Sequence, residues 1–192
     1  LTFAAGLRSI LRQDPDIVMI GEIRDLETAE IAVRTSLTGH LVLSTLHTNS
    51  AVESVTRLHD MGIEPFLLAS SLNGIIAQRL VRRVCKDCAE PIELDAEMRD
   101  VFARYGLENG TFMEGKGCPS CNGTGYKGRL AVHEVLPITE PIRRIMMTTM
   151  NIGEIRDYME EAGISTMYVD GLEKISKGMT TLEEVLRATN LE

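Results

Sequence analysis

Apolar residues near the start of the chain follow two patterns, helical spacing and short continuous runs. The run Ile17–Ile20 contains only apolar residues, which is typical of a strand buried on both faces of a parallel sheet. Residues 40–47 predict a second buried strand with polar residues at its carboxyl end. Apolar positions repeat at helical spacing instead in residues 4–13, in the stretch between the two strands and in residues 52–61. This order of helices and strands predicts an α/β fold with a parallel sheet.

Capping and turn residues mark the ends of the predicted helices. Pro15 ends the first helix, because the residue before a proline avoids helical geometry. Asp25 is placed to cap the helix that follows the first strand, and Gly39 is placed to end it. Residues 129–192 are predicted to form a small, mostly helical module, in which Asn151 begins a capping-box pattern.

The cysteines form two CxxC pairs, and 29 residues separate one pair from the other. In a chain without an export signal, paired CxxC knuckles indicate a zinc site rather than disulfides, because two tight turns complete a tetrahedral shell of thiolates. A catalytic zinc is disfavoured, since no histidine lies nearby. A redox role is the alternative, although it requires only one pair. We therefore expect structural Zn²⁺ bound by Cys85, Cys88, Cys118 and Cys121.

Composition and charge narrow the classes of function. Hydrophobic residues make up 44% of the chain and charged residues 25%, as in ordinary globular proteins. No apolar stretch reaches the ~18–20 residues that span a bilayer, and no signal segment opens the chain. The net charge is −8, of which −7 lies in residues 85–192. Nucleic-acid binding is therefore not expected, because it requires clustered positive charge. Because the chain opens with Leu1 in what resembles the middle of a domain, we expect a fragment.

Polar residues gather where the two predicted strands end. In parallel sheets, ligands bind beyond the carboxyl ends of the strands, and Glu22, Arg24, Thr45 and His47 fall there. An acid directly after an apolar strand is typical of a phosphate and Mg²⁺ site, where hard oxygen ligands and a water-orienting group are needed. The simpler alternative is a solvated loop acid, with Arg24 as its surface partner.

Two glycine-rich segments resemble phosphate-binding motifs but lack the required context. Residues 110–116 follow the GxxxxGK pattern, but Gly117 stands where Ser or Thr would bind Mg²⁺. Residues 123–128 match GxGxxG, yet they follow a cysteine knuckle, and a lone match is weak. Both are predicted to be turns around the metal.

Several long motifs resemble one known family. The segments LTFAAGLRSILRQDPDIVMIGEIRD, SLTGHLVLSTLHTNSA and AQRLVRRVC are similar to the hexameric secretion ATPases of type II secretion and type IV pilus assembly. The tail segments GYKGRLAVHEVLPIT and TMYVDGLEKISKGMTTLEEVLRATN resemble the C-terminal region of that family. The paired CxxC motif resembles the assembly and secretion branch rather than the retraction ATPases.

The resemblance implies the C-terminal portion of a RecA-like ATPase, with a small tetracysteine zinc insert and a C-terminal helical module. Glu22 matches the catalytic glutamate of a Walker B segment, and His47 matches the His box on the γ-phosphate side. Arg8, Arg12 and Arg24 match arginines proposed to reach phosphate within or across subunits. The Walker A loop and the acidic Asp box would precede Leu1, so the fragment is expected to lack activity.

The resemblance also implies a domain order and a cellular setting. Residues 1–84 would belong to the ATPase core, residues 85–128 to the zinc subdomain and residues 129–192 to the helical module. The longer parent would be a homo-hexamer that uses ATP and Mg²⁺. It would be cytoplasmic and peripheral to the bacterial inner membrane, through a platform protein and cytoplasmic components of the machine. Whether the machine secretes proteins or assembles pili is left open.

A zinc-knuckle binding module is the competing hypothesis. Residues 118–125 resemble one CxxCxGxG repeat of J-domain chaperones, but the pair at Cys85 lacks the glycines. Arg79, Arg82 and Arg83 place a small basic cluster beside the cysteines, as in a nucleic-acid binder. The negative charge of the zinc-bearing half and its few aromatic residues argue against nucleic-acid binding.

Overall fold

The computed structural model describes residues 3–189. The helices are α1 (Phe3–Leu11), α2 (Leu26–Leu37), α3 (Ala51–Asp60), α4 (Pro65–Ser71), α5 (Ala96–Arg104), α6 (Glu140–Thr148), α7 (Ile152–Glu161), α8 (Met167–Ser176) and α9 (Leu182–Thr189). The strands are β1 (Ile17–Ile20), β2 (Leu41–Ser44), β3 (Gly74–Val84), β4 (Ala89–Pro91), β5 (Met113–Gly115) and β6 (Tyr126–Pro137). In this part of the chain, no helix combines the length and the apolar character that crossing a membrane requires.

The chain divides into two compact units, each of them discontinuous in sequence. The first unit contains Leu1–Ile75 and Leu136–Ile164, and the second contains Ile76–Val135 and Ser165–Glu192. This division differs from the three consecutive segments expected from the sequence, because residues 129–192 do not stay together. Helices α6 and α7 contact α4 and α3 in the first unit, whereas α8 and α9 contact each other in the second.

The first unit contains the predicted parallel sheet. Strands β1 and β2 pair in parallel, from Ile17 opposite Leu41 to Ile20 opposite Ser44, and helix α2 contacts both β2 and α1. The prediction of strands buried on both faces is wrong for the described residues. Ile20 is 2% exposed, whereas its neighbour Met19 is 74% exposed. Within residues 3–189, the surrounding helices cover only one face of the sheet.

Side chains at the helix starts supply the caps that the sequence predicts. Asp25 Oδ1 accepts a hydrogen bond of 2.8 Å from the Thr28 backbone N–H at the start of α2. Asn151 Oδ1 likewise accepts one of 2.8 Å from the Gly153 N–H at the start of α7, whereas Glu154, the other member of the predicted capping box, accepts from the Thr149 hydroxyl at 3.0 Å. Each cap satisfies a backbone donor that lacks a partner inside the helix. Gly39 follows α2 with a φ of 103°, a conformation that favours glycine.

The second unit has an apolar core that joins the cysteine-bearing segment to the last two helices. Leu94, Phe102 and Phe112 come from the segment that contains α5, and Leu172 and Val185 come from α8 and α9. The Phe102 and Phe112 rings meet edge to face, with their centroids 4.7 Å apart. The cysteine-bearing segment therefore buries its apolar residues against helices that are distant in sequence.

A buried carboxylate links α9 to β3 in the same unit. Glu184 is fully buried, and its carboxylate accepts hydrogen bonds from the Arg82 backbone N–H (2.8 Å), from Arg82 Nε (2.9 Å) and from Arg187 (2.8 Å). Burial alone raises the pKa of Glu184, but the hydrogen bonds from Arg82 outweigh burial and hold the pKa below its usual value. This contribution to stability is present above the ordinary glutamate pKa and is lost as pH falls through the lower, folded-state pKa.

Candidate functional site

Two hydrogen bonds join the segments that follow β1 and β2, just beyond the last paired residues. The Ile23 backbone N–H donates to the Thr45 carbonyl at 3.1 Å. The Thr45 hydroxyl donates to the Gly21 carbonyl at 2.6 Å. Because these bonds lie on either side of Glu22 in the chain, they fix the segment that carries Glu22 against the end of β2.

Three of the predicted site residues meet at this edge of the sheet. Glu22 Oε1 lies 2.8 Å from His47 Nε2, and Glu22 Oε2 lies 2.5 Å from the Arg24 guanidinium. The Glu22 side chain is 19% exposed, whereas those of Arg24 and His47 are 77% and 85% exposed. The carboxylate is therefore partly shielded, while its two partners face solvent.

The charge of Glu22 is set by its neighbours. The hydrogen bond from Arg24 is the largest influence on the pKa of Glu22, and with the positive charge of Arg24 it outweighs partial desolvation and holds that pKa below its usual value. Glu22 in turn raises the pKa of Arg24. An ionised carboxylate keeps lone pairs on both oxygens beyond the two bonds described. Glu22 can thus accept a hydrogen bond from water at neutral pH.

The simpler alternative from the sequence, a loop acid with a surface arginine, accounts for only part of this arrangement. The salt bridge between Glu22 and Arg24 is present. His47 is not explained by it, since this residue arrives from the other strand and contacts the second carboxylate oxygen. Glu22 therefore has one partner from its own segment and a second partner from the segment after β2, which a purely local pair does not include.

The other two predicted arginines lie apart from this cluster. Arg8 on α1 pairs with Glu27 on α2 at 2.9 Å, and both side chains are more than half exposed. Arg12 lies just past the end of α1 and is exposed. In the described part of the chain, the ion pairs of Glu22 are those with Arg24 and His47.

The four cysteine sulfurs come together in the second unit. They all lie within 4.8 Å of one another, and three pairs are 3.9, 3.9 and 3.7 Å apart: Cys85 with Cys118, Cys88 with Cys121, and Cys118 with Cys121. Four sulfurs at ~2.3 Å from a tetrahedral zinc would be about 3.8 Å apart. The group can therefore hold a metal ion, and its spacing fits a tetrahedral one.

Backbone N–H groups near the cysteines favour the ionised, thiolate form of Cys121. The N–H groups of Cys118 and Gly125 donate to Cys121 Sγ at 3.2 and 3.3 Å. These bonds, led by that of Cys118, lower the pKa of Cys121 to about 6, whereas burial raises the pKa of Cys88 to about 12. A cation among the four sulfurs would stabilise the ionised form of each.

The glycine-rich segments belong to the surroundings of the cysteines, as predicted, but neither is entirely a turn, because residues 126–128 of the second segment already belong to β6. Residues 113–115 form β5, which pairs antiparallel with β4. A Cβ atom added to Gly115 would lie 2.0 Å from the Gly125 carbonyl oxygen, and Gly125 itself has a φ of 77°. Glycine is needed at both positions because the two backbones touch there.

Two contacts of the structure do not follow from the sequence pattern. The Thr45 hydroxyl bond to Gly21 was not predicted, although Thr45 was placed at the strand end. Glu184 and Arg82 are 102 residues apart in sequence, and no local pattern marks such a pair.

The comparisons with known proteins identify the family of the chain. The profile of the family described as "Type II/IV secretion system protein" matches residues 1–187. The "Type II secretion system ATPase E" of Vibrio cholerae is 53% identical over 189 residues, which are 98% of this chain and 37% of that protein. The "Type IV pilus assembly ATPase PilB" of Thermus thermophilus is 48% identical over 194 residues, covering 98% of this chain and 22% of that protein.

A solved structure supports the fold. The crystal structure of the pilus retraction motor PilT with bound ADP has a TM-score of 0.68 and 27% sequence identity, over 97% of this chain and 43% of that chain. The predicted fold class is thus confirmed, and the chain spans about a fifth to two fifths of the length of the curated relatives described. The family profile includes the tetracysteine segment. This match favours the hypothesis of a secretion-family protein over that of a separate zinc-knuckle binding module. The chain belongs to the type II/IV secretion system protein family.

Proposed function

We propose that this chain is the C-terminal part of a hexameric motor ATPase that couples ATP hydrolysis to type II protein secretion or type IV pilus assembly. The observation that carries the proposal is the ionised Glu22, held between Arg24 and His47 at the carboxyl ends of two parallel strands. The names of the two relatives, one from each system, support the same class of machine.

Glu22 orients the attacking water in this proposal. Its pKa lies below the usual glutamate range, so it is a weak base, and its contribution is to align water as a hydrogen-bond acceptor. His47 holds the other carboxylate oxygen and reaches the γ-phosphate side. Its 85% exposed side chain leaves it accessible to a nucleotide.

The arginines stabilise phosphate charge in this proposal, because a guanidinium fork pairs with two phosphate oxygens at once. Arg24 is 77% exposed beside Glu22, so it can turn towards a nucleotide in the same subunit. Arg8 and Arg12 lie on or just after α1 and are exposed to solvent. They are candidates to reach a nucleotide bound by a neighbouring subunit.

ATP and Mg²⁺ would be held largely by residues outside this chain. The 192 residues contain no GxxxxGK[ST] motif, and that loop is what cradles the β- and γ-phosphates in P-loop enzymes. The open face of the sheet, with Ile17 60% and Met19 74% exposed, supports the same proposal. Burying such a face requires a further layer, which the rest of the parent would supply.

The chain alone is therefore expected to be inactive. Release of inorganic phosphate from ATP by the 192-residue chain should not exceed the rate with Glu22→Gln in the same chain, whereas the full-length parent should turn over. If the isolated chain hydrolysed ATP robustly and Glu22→Gln abolished that activity, the proposal that its phosphate site is incomplete would be wrong.

The metal in this proposal is structural Zn²⁺, bound by Cys85, Cys88, Cys118 and Cys121. When bound, zinc supplies a crosslink between two turns and no reaction chemistry, because all four positions are filled by sulfur. The spacing of the sulfurs and the donors to Cys121 support the assignment. Elemental analysis should find one zinc per purified chain. Well under one equivalent, together with four freely reactive thiols, would contradict it.

The parent's setting follows from the same proposal. It acts as a homo-hexamer in the cytoplasm, at the inner membrane, bound to a membrane platform protein and to cytoplasmic components of the machine. Nucleic acid is not among its partners. Size-exclusion chromatography with light scattering on the full-length protein with nucleotide tests the hexamer, and a lasting monomer would contradict it.

A further inference from the structure

Thr45 bonds the end of β2 to the segment that follows β1. The last paired residues of the sheet are Ile20 and Ser44, and Thr45 follows directly. Its carbonyl accepts from the Ile23 N–H at 3.1 Å, and its hydroxyl donates to the Gly21 carbonyl at 2.6 Å. Thr45 thus bonds to the residue before Glu22 and to the residue after it.

We propose that Thr45 is a positioning residue for Glu22, whose hydroxyl holds the Glu22 carboxylate in register with His47 and so sets how well Glu22 orients water. The proposal rests on the proposed ATPase function. It assigns to Thr45 no contact with nucleotide, only the alignment of a neighbouring group.

The hydroxyl is needed because the other polar contacts of Glu22 do not fix its segment to β2. Arg24 belongs to the same segment as Glu22 and is 77% exposed, so the pair can shift together. His47 is 85% exposed and lies two residues beyond Thr45. The bonds of Thr45 therefore extend the attachment of β1 to β2 past Ile20 and Ser44, to the segment that carries Glu22.

This role is separable from folding. Thr45 is exposed, so water can replace its hydroxyl at the Gly21 carbonyl, and the free energy of unfolding should change little. The backbone bond from Ile23 remains in any Thr45 variant. What changes is the freedom of the Glu22 segment, and small displacements of a catalytic group cost large factors in rate.

The test compares variants of the full-length protein in steady-state ATP hydrolysis. Thr45→Val removes the hydroxyl at nearly constant shape and should lower kcat by about tenfold to a hundredfold, with KM within about twofold. Thr45→Ser keeps the hydroxyl and should restore kcat to within about threefold. Thr148→Val is the matched control, because the exposed Thr148 hydroxyl also bonds to a backbone carbonyl, that of Arg144. It should leave kcat unchanged.

A double-mutant cycle separates positioning from a general structural effect. If Thr45 acts through Glu22, then Thr45→Val should have no further effect on kcat in the Glu22→Gln background. Additive losses, a normal kcat for Thr45→Val, or no rescue by Thr45→Ser would each overturn the proposal. If Thr45→Val lowers the Tm, Thr45→Ala is measured in its place. A normal kcat for Thr45→Ala would also contradict the positioning role of Thr45.

The outcomes also distinguish this proposal from the function on which it rests. A normal kcat for Glu22→Gln would remove Glu22 from the mechanism, and the role of Thr45 would fall with it. A large loss for Glu22→Gln with none for Thr45→Val would leave the ATPase proposal intact and reject only the positioning role.

Discussion

Replacing Glu22 with glutamine in the full-length protein should lower ATP turnover by about 10²–10⁴, because the amide no longer offers the charged acceptor that orients the attacking water. Glutamine has nearly the shape of glutamate but lacks the charge that Arg24 and His47 hold in place. Nucleotide affinity should change little, because Glu22 acts on water rather than on the phosphate chain. Steady-state hydrolysis and equilibrium binding of a non-hydrolysable analogue measure the two effects.

The matched control for this prediction is Glu30→Gln, the same change at an exposed position of α2. It should leave turnover unchanged. Equal turnover in Glu22→Gln and in the unmodified protein would exclude Glu22 from the reaction. A large loss of affinity in Glu22→Gln would instead indicate that Glu22 binds nucleotide rather than orienting water.

Mixing variant subunits of the proposed hexamer tests the role of each arginine. Arg8→Ala, Arg12→Ala and Arg24→Ala should each slow turnover. An arginine that acts across the subunit interface should regain activity when its variant is mixed with Glu22→Gln subunits, because one mixed interface then holds both intact groups. An arginine that acts within its own subunit should show no such recovery.

Losing the metal site should produce the largest change in stability. Cys118→Ser removes one of four thiolates, and structural zinc sites contribute ~10–16 kcal/mol to folding in small zinc domains. The loss should reach α8 and α9, because their residues Leu172 and Val185 share a core with Phe102 and Phe112. Amide hydrogen exchange should therefore speed up in α8 and α9 while β1 in the first unit keeps its protection.

Lys86→Ala is the control for this prediction, since Lys86 is an exposed residue of the turn between Cys85 and Cys88. It should leave zinc content and exchange rates unchanged. Unaltered protection of α8 and α9 in zinc-free Cys118→Ser protein would show that their core does not depend on the metal. Faster exchange in β1 as well would show that the first unit also depends on it.

The sequence predicts the structural features that depend on residues close to one another in the chain. The cap at Asp25, the end of α2 at Gly39 and the parallel pairing of Ile17–Ile20 with the second strand follow from residue type and spacing alone. The meeting of Glu22 with His47 follows from pairing too, because parallel strands bring their carboxyl ends together. The CxxC spacing likewise predicted the sulfur cluster.

What the sequence did not predict depends on contacts between distant segments. An all-apolar strand has the same pattern whether one or two layers cover it, so the exposure of Met19 could not be predicted. The division of residues 129–192 between two units depends on which helices α6 and α8 contact, and apolar spacing does not specify the partner. Arg8 was grouped with the site by resemblance, but in this chain it pairs with Glu27.

The shared core of the second unit has a consequence for synthesis on the ribosome. Glu184 meets Arg82 across 102 residues of sequence, which translation at ~5–20 residues per second takes about 5–20 s to produce. The rings of Phe102 and Phe112 emerge well before Leu172 and Val185, with which they share a core. Until α8 and α9 have been synthesised, the nascent segment lacks the residues that complete the core around its aromatic side chains, so the second unit can finish folding only at the end of translation of these helices.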